Sequence, residues 1–189
     1  KSKHDHIDIV VQTDNNLTYS ITYNDPRRFG FVDFFNKKDI YNHFLLKKLG
    51  IEALSKKLTV SKLKSLLNNR KKSIKNTLID QSVIAGIGNI YASEILYRAK
   101  IHPKRSSNSL SDQEVNTIIK ACRFILKKAI KVGGTTIKNH AQPDGKLGYF
   151  SQKLKVYGRT GQKCFNCKNN IINLPITKRS TFYCNHCQI

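Results

Sequence analysis

Four cysteines stand in two pairs near the C-terminus, Cys164-Phe165-Asn166-Cys167 and Cys184-Asn185-His186-Cys187, with sixteen residues between the pairs. Each C-x2-C turn lets two thiolates point at one ion from a single tight loop, and two loops complete the tetrahedron of a closed structural zinc site. The spacing therefore predicts one structural Zn²⁺ held by Cys164, Cys167, Cys184 and Cys187 on a β-hairpin ribbon. Such a site has no open coordination position, so it builds structure and performs no chemistry. Two disulfides are the alternative, but nothing else in the chain has secreted character, and reducing surroundings favour metal. His186 reads as an exposed neighbour of the site, since four thiolates suffice. Cys122, within a helical stretch, reads as a buried apolar residue.

Three further motifs can handle nucleic acid. In Asp25-Pro26-Arg27-Arg28-Phe29-Gly30 a proline stiffens a turn and two arginines precede an aromatic ring. An exposed Phe beside Arg suits a wedge that fills a vacated stacking position while a guanidinium braces the orphaned base; a core Phe with two solvated arginines is the alternative. In Gly86-Ile87-Gly88-Asn89 two glycines sit at a helix start, where backbone N–H groups and the positive end of the helix dipole hold phosphate. Asn89 adds a side-chain donor, and a plain tight turn is the bland reading. Between the cysteine pairs, Arg179 falls near the hairpin tip, where its planar fork can grip phosphate or simply be solvated.

The elements that must carry these motifs are legible in part. Residues 6–12 and 17–23 are rich in β-branched and aromatic side chains and flank the turn cluster Asp14-Asn15-Asn16, and a third strand is expected at 31–35. Such a sheet fragment needs partner strands. From about residue 40 the pattern becomes helical. Val60, Leu63, Leu66 and Leu67 recur at helical spacing within 59–69, a shorter helix follows at 74–80, and 89–99 form another. Ser111 and Glu114 match a capping box that opens a long amphipathic helix through about Lys131, stopped by Gly133-Gly134. Residues 135–163 read as irregular.

Composition narrows the partners. Thirty-four Lys and Arg against twelve Asp and Glu leave a formal charge of +22, which calls for a polyanion. No apolar run approaches a membrane span, and no basic amphipathic helix with an aromatic face is present. Nucleic acid is the reading that remains. The sequence begins at Lys1 and contains no methionine, so the translated product is expected to extend upstream.

Taken in order, NDPRRFG at 24–30, LIDQSVIAGIGNIYASEILYRAKIHP at 78–103, GGTTIKNHAQPDGKLGYF at 133–150, VYGRTGQKC at 156–164 and RSTFYCNHCQ at 179–188 resemble formamidopyrimidine-DNA glycosylase. That bacterial base-excision repair family removes oxidised purines, notably 8-oxoguanine, and nicks the abasic site. Its relative endonuclease VIII, which acts on oxidised pyrimidines, is less similar around the Arg-Arg-Phe loop and the ribbon.

The resemblance implies an α+β fold in four parts. Residues 1–40 end a β-sandwich, 41–135 form a helix–two-turn–helix domain, 136–158 a lesion-recognition loop and connector, and 159–189 the zinc ribbon. It implies DNA contacts by His4, Arg27, Arg28, Phe29, Arg70, Gly88, Asn89, Tyr157 and Arg179. Phe29 resembles the wedge, Arg27 the residue facing the estranged cytosine and Arg28 a backbone contact. Asn89 resembles a phosphate clamp, and Arg179 the ribbon arginine that assists the second (δ) elimination. The implied partner is duplex DNA carrying an oxidised purine or an abasic site, bound by a monomer in the bacterial cytoplasm at the nucleoid, with no membrane.

The family's nucleophile is an N-terminal proline followed by a glutamate, supported by a lysine on a hairpin. Lys1-Ser2-Lys3 aligns past those positions. The 189 residues alone are therefore expected to bind DNA without forming the Schiff base. A non-catalytic DNA-binding zinc module is the reading of a different class.

Overall fold

The computed structural model describes residues 2–135 and 150–189. They form two compact units, Lys1–His43 and Phe44–Ile189. The lesion-recognition segment expected at 136–158 lies, over 136–149, outside the described residues.

The first unit is built on one hairpin. β1 (Asp5–Gln12) pairs antiparallel with β2 (Thr18–Asn24), with Ile9 opposite Ile21 and Val11 opposite Tyr19. Asn16 takes a left-handed φ of 55° in the connecting turn, a conformation that asparagine tolerates because its short polar side chain bonds locally. Residues 31–35, expected as a third strand, are not one. High β propensity does not suffice, because a strand's N–H and C=O groups need a neighbouring ladder. Among the described residues no strand pairs with this segment. The chain passes instead into a 3-10 helix at Lys37–Asn42, capped by Asn36.

The second unit is helical with short strand contacts. β3 (Ile51–Glu52) and β4 (Ile84–Ala85) make a two-residue parallel pairing. α1 (Val60–Leu67) is capped by Thr59 and α2 (Ile74–Leu78) by Ser73. α3 (Asn89–Ala99) packs against α4 (Asp112–Lys131), which opens with the expected reciprocal capping box of Ser111 and Glu114. Along α4 the residues Val115, Ile118, Ile119, Cys122, Ile125, Leu126 and Ala129 are buried, a spacing of three and four that lays one continuous stripe on the core. They meet Leu63, Leu67, Ile74, Leu78, Ile95 and Leu96, and each such large apolar side chain contributes roughly 1.5–3 kcal/mol by leaving water. Cys122 is within this core, and burial raises its thiol pKa to about 11, as befits an inert apolar residue.

A hairpin closes the unit. β5 (Ile172–Ile176) and β6 (Arg179–Tyr183) are joined by Thr177 and Lys178, both with positive φ (47° and 62°). This is the two-residue turn whose twist matches that of the flanking strands. A second buried cluster, of Val156, Cys164, Ile171, Phe182 and Cys184, seats the hairpin on Tyr97 of α3. The architecture is α+β, with the ribbon part of the helical unit.

Candidate nucleic-acid interface and metal centre

Within the second unit the sequence-predicted residues Asn89 and Arg179 converge on the hairpin tip. Gly88 precedes α3, and no side chain caps that helix, so its first-turn amides remain for solvent or a ligand. The two glycines differ in what they do. Gly86 has φ +92°, which explains the residue, and its N–H is already taken by Gln81 Oε1 at 2.9 Å. Gly88 has ordinary φ and open space before it, so it leaves the helix start approachable. Asn89 Nδ2 donates to the Ser180 carbonyl at 3.0 Å. Its Oδ1 is, among the described residues, the buried side-chain polar atom without a partner.

The same Ser180 carbonyl accepts from Lys75 Nζ at 2.9 Å, and Thr181 Oγ1 lies 2.7 Å from that nitrogen. The Lys75 side chain is 0% exposed, and no carboxylate pairs with it among the described residues. Burial, reinforced by the Arg179 guanidinium, lowers its pKa to about 8. A desolvated ammonium without a counter-ion is a standing demand for an anion. Asn76 Nδ2 donates to Thr177 Oγ1 at 2.6 Å, tying α2 to the turn. Between them lies a cleft of about 290 Å³ lined by Lys72, Asn76, Ile79, Thr177 and Arg179. Sequence reasoning missed Lys75. One lysine in a Lys-rich stretch carries no signal, and its environment comes from a strand about a hundred residues away.

Two other expected contacts are placed differently. Arg70 is half-buried, donating from Nε to Leu66 O at 3.1 Å and pairing with Asp80 at 3.4 Å. Tyr157 packs its ring on Phe182 with centroids 4.7 Å apart. The Tyr157 N–H donates to Glu94 Oε1 at 2.9 Å, as does that of Val156, and the Lys155 N–H reaches both oxygens of the same carboxylate. Glu94, on α3, thus anchors the connector into the ribbon. Burial raises its pKa against the pull of those three N–H groups.

In the first unit the loop after β2 is organised by Asp25. Its carboxylate accepts from Gly30 N at 2.8 Å, Arg27 N at 3.1 Å and Tyr23 Oη at 3.0 Å. The Gly30 N–H is the chief reason its pKa lies below the usual range. A Cβ at Gly30 would fall 2.2 Å from Tyr23 Oη, so any larger residue there displaces the Tyr23 hydroxyl from Asp25. Phe29 is 78% exposed, with the Arg27 guanidinium 4.7 Å from its ring centroid. The ring stands in solvent, as do Phe31 and Phe34 of the same unit. Arg28 sits at φ 52°. The His4 carbonyl accepts from Asp25 N at 3.0 Å, so His4, Arg27, Arg28 and Phe29 gather around one turn.

The four ribbon cysteines close on one point. Their sulfurs all lie within 4.8 Å of one another, with Cys164 to Cys187 at 3.9 Å and Cys167 to Cys184 at 3.4 Å. All are free thiols. Four sulfurs about 2.3 Å from one tetrahedral ion stand about 3.8 Å apart, so the set fits a metal ion. Against its burial, hydrogen bonds from Tyr97 and from backbone N–H groups bring Cys164 down to about 6. Burial and three neighbouring sulfurs push Cys187 up. The thiolates compete for one volume, and a central cation removes that competition. His186 is exposed beside them, as expected of a bystander.

Comparison with known proteins agrees with this geometry. A family model described as the formamidopyrimidine-DNA glycosylase H2TH domain matches residues 49–141. The chain is 48% identical over 191 residues to the formamidopyrimidine-DNA glycosylase of Rickettsia canadensis (strain McKiel), and 41% identical over 192 residues to that of Bartonella quintana (strain Toulouse). In both cases 98% of this chain is covered, and it spans 66% of the relative's length. Among solved structures, the MutM (Fpg) protein of Thermus thermophilus superposes with a TM-score of 0.89 at 33% identity, covering 100% of this chain and 70% of its own. A complex between the Lactococcus lactis Fpg and an abasic-site-containing DNA gives 0.86 at 32% identity, covering 100% and 67%. The chain belongs to the formamidopyrimidine-DNA glycosylase family.

Proposed function

We propose that the protein works in base-excision repair, as a glycosylase that removes oxidised purines from duplex DNA with β,δ-elimination at the abasic site, and that this chain supplies the grip on the duplex. The observation that carries the reading is the cleft lined by Lys72 and Arg179, with the buried Lys75 ammonium bonded to the Ser180 carbonyl that Asn89, at an uncapped helix start, also holds. Its chemistry matches a phosphodiester, which offers the counter-charge that Lys75 lacks. The solved Lactococcus lactis relatives hold abasic-site and Fapy-dG DNA, the same class of ligand.

The roles are those that the family resemblance implies. Gly88 and Asn89 present the start of α3 to a phosphate, and Arg179 grips the same strand and, by resemblance, donates a proton in δ-elimination. Phe29 fills the gap left by an extruded nucleotide, with Arg27 braced against its ring to face the orphaned base. Arg28, His4 and the hydroxyl of Tyr157 add backbone contacts. Arg70 contributes by leaving its pairing with Asp80 or by long-range charge. The ribbon ion is zinc, because four thiolates in a closed tetrahedron are the donor set that ion favours in structural sites. Zinc supplies folding energy to the hairpin that presents Arg179.

Anisotropy titration of two labelled duplexes, one intact and one bearing a tetrahydrofuran abasic analogue, tests the function. Tighter binding of the abasic duplex is expected, with both affinities falling as salt rises. Equal affinity for the two duplexes would leave only a non-selective DNA-binding module.

A further inference from the structure

One buried polar group has no part in the DNA contacts above. Tyr97 lies on α3, two turns beyond Asn89, and is 7% exposed. Its hydroxyl is 3.2 Å from Cys164 Sγ, and Cys164 itself is fully buried. Among the described residues, Tyr97 is also the one member of the ribbon's buried cluster that comes from the helices. A buried hydroxyl costs free energy unless it is bonded. A neutral thiol is a weak acceptor and scarcely offsets that cost, whereas a thiolate is a strong one. Phenylalanine would fill the same volume without any such cost. The hydroxyl is thus suited to a sulfur that carries negative charge.

The surrounding contacts give this bond a direction. The Asn166 N–H approaches the same sulfur at 3.4 Å, so Cys164 receives a donor from within its own knuckle and one from the helix. One turn before Tyr97, Glu94 holds the N–H groups of Lys155, Val156 and Tyr157. Positions 94 and 97 share a helix face, so that single face holds both the connector into the ribbon and one of its thiolates.

We propose that Tyr97 is a positioning residue of the metal centre, donating its hydroxyl hydrogen to Cys164 Sγ so that this ligand is held as an oriented thiolate and the ion is retained. The inference rests on the zinc reading of the four-cysteine cluster. Outer-shell donors of this kind change metal affinity by about 10- to 100-fold. Donation to the sulfur also lowers its electron density, which makes the ligand slower to oxidise and slower to exchange. The bond spans the seam between helix and ribbon, so its loss loosens the ion without removing any ligand.

The experiment compares the whole chain with Tyr97→Phe. Wild-type protein is expected to hold about one zinc, and the variant to release it to 4-(2-pyridylazo)resorcinol about 10-fold faster at unchanged far-UV circular dichroism. In Co²⁺-substituted protein, the thiolate-to-metal charge-transfer band should move to lower energy in the variant, because an unbonded sulfur is easier to ionise. Replacing tyrosine by 3-fluorotyrosine in otherwise unaltered protein strengthens the donor and should move the band the other way, a readout that does not depend on the variant folding. Metal-loaded wild type with identical release and identical bands in both altered forms would overturn the role of Tyr97 and leave the zinc site standing. Wild-type protein that binds no metal would overturn both.

Discussion

The turn at Asp25–Gly30 and the hairpin-tip cleft in front of Lys75 both gather cations, yet they are built on opposite principles. In the first, one half-buried carboxylate holds three donors, and Arg27 and Phe29 stand in solvent. In the second, the cation is buried, and two oxygens of a distant hairpin hold it in place. A solvent-set loop keeps its fold whatever sits at its tip, so substitutions there read out binding. A cation set into the core couples binding to stability, to pH and to the metal that supports its hairpin.

The largest expected effect breaks the buried side of this contrast. Cys184→Ala or chelation should release the ion and unfold the hairpin, removing the oxygens that position Lys75. DNA affinity should then fall by about 100-fold or more, the loss expected when a central binding cluster goes. Anisotropy titration with and without chelator measures it, and the loop at Asp25 should be unaffected in nuclear magnetic resonance spectra.

Lys75→Met comes next and separates binding from stability. Losing the buried positive charge behind the cleft should cost about 1–2 kcal/mol of affinity, on the order of the attraction between unit charges about 8 Å or more apart at an effective dielectric of about 20. The melting temperature should hold or rise, because an uncompensated buried cation has been removed. The pH dependence has a definite sign. The pKa of Lys75 in the free protein is about 8, and a bound phosphate favours the ammonium. Below about 8 affinity is flat with respect to this group. Above 8 binding must take up a proton, so affinity falls by up to about tenfold per pH unit. Stability moves the other way. The unfolded lysine keeps its proton to higher pH, so folding becomes more favourable between about pH 8 and the ordinary value of 10.5. Both trends should vanish in Lys75→Met, and titrations at several pH values check this.

Phe29→Ala sharpens the exposed side. Loss of a stacking platform should cost about 1–3 kcal/mol on duplexes with an abasic gap. Intact duplex and thermal stability should change by less than about 0.5 kcal/mol, as for other exposed substitutions. Equal loss on both duplexes would reassign the ring to a general contact. Asp25→Ala should have the smallest effect, about a twofold loss confined to the gapped duplex, because it loosens the turn without removing a contact. Competition between the two duplexes resolves differences of that size.

Sequence reading succeeded where the physics is local. The capping box at Ser111 and Glu114, the apolar stripe of α4 and the C-x2-C pairs all depend on neighbours a few positions apart, and each is present. It failed at 31–35, where β-branched and aromatic residues favour extended backbone but a strand also requires a partner ladder. The burial of Lys75 and the reach of Tyr97 to Cys164 were invisible for the same reason, since both depend on segments 67–106 residues away. Arg70 came from the resemblance alone, and its pairing with Asp80 ten residues on was not legible in the sequence.

The residue order therefore settled which chemistry is present: four cysteines at metal spacing, a phenylalanine preceded by two arginines, a glycine-opened helix start and a strongly basic chain. Those follow from side-chain identity and short-range geometry. Tertiary structure decided which cation is desolvated, which sulfur receives a helix's hydroxyl and which carbonyl Lys75 and Asn89 share. Burial and electrostatics are properties of assembled surfaces, and they arise only when distant segments exclude water from one another.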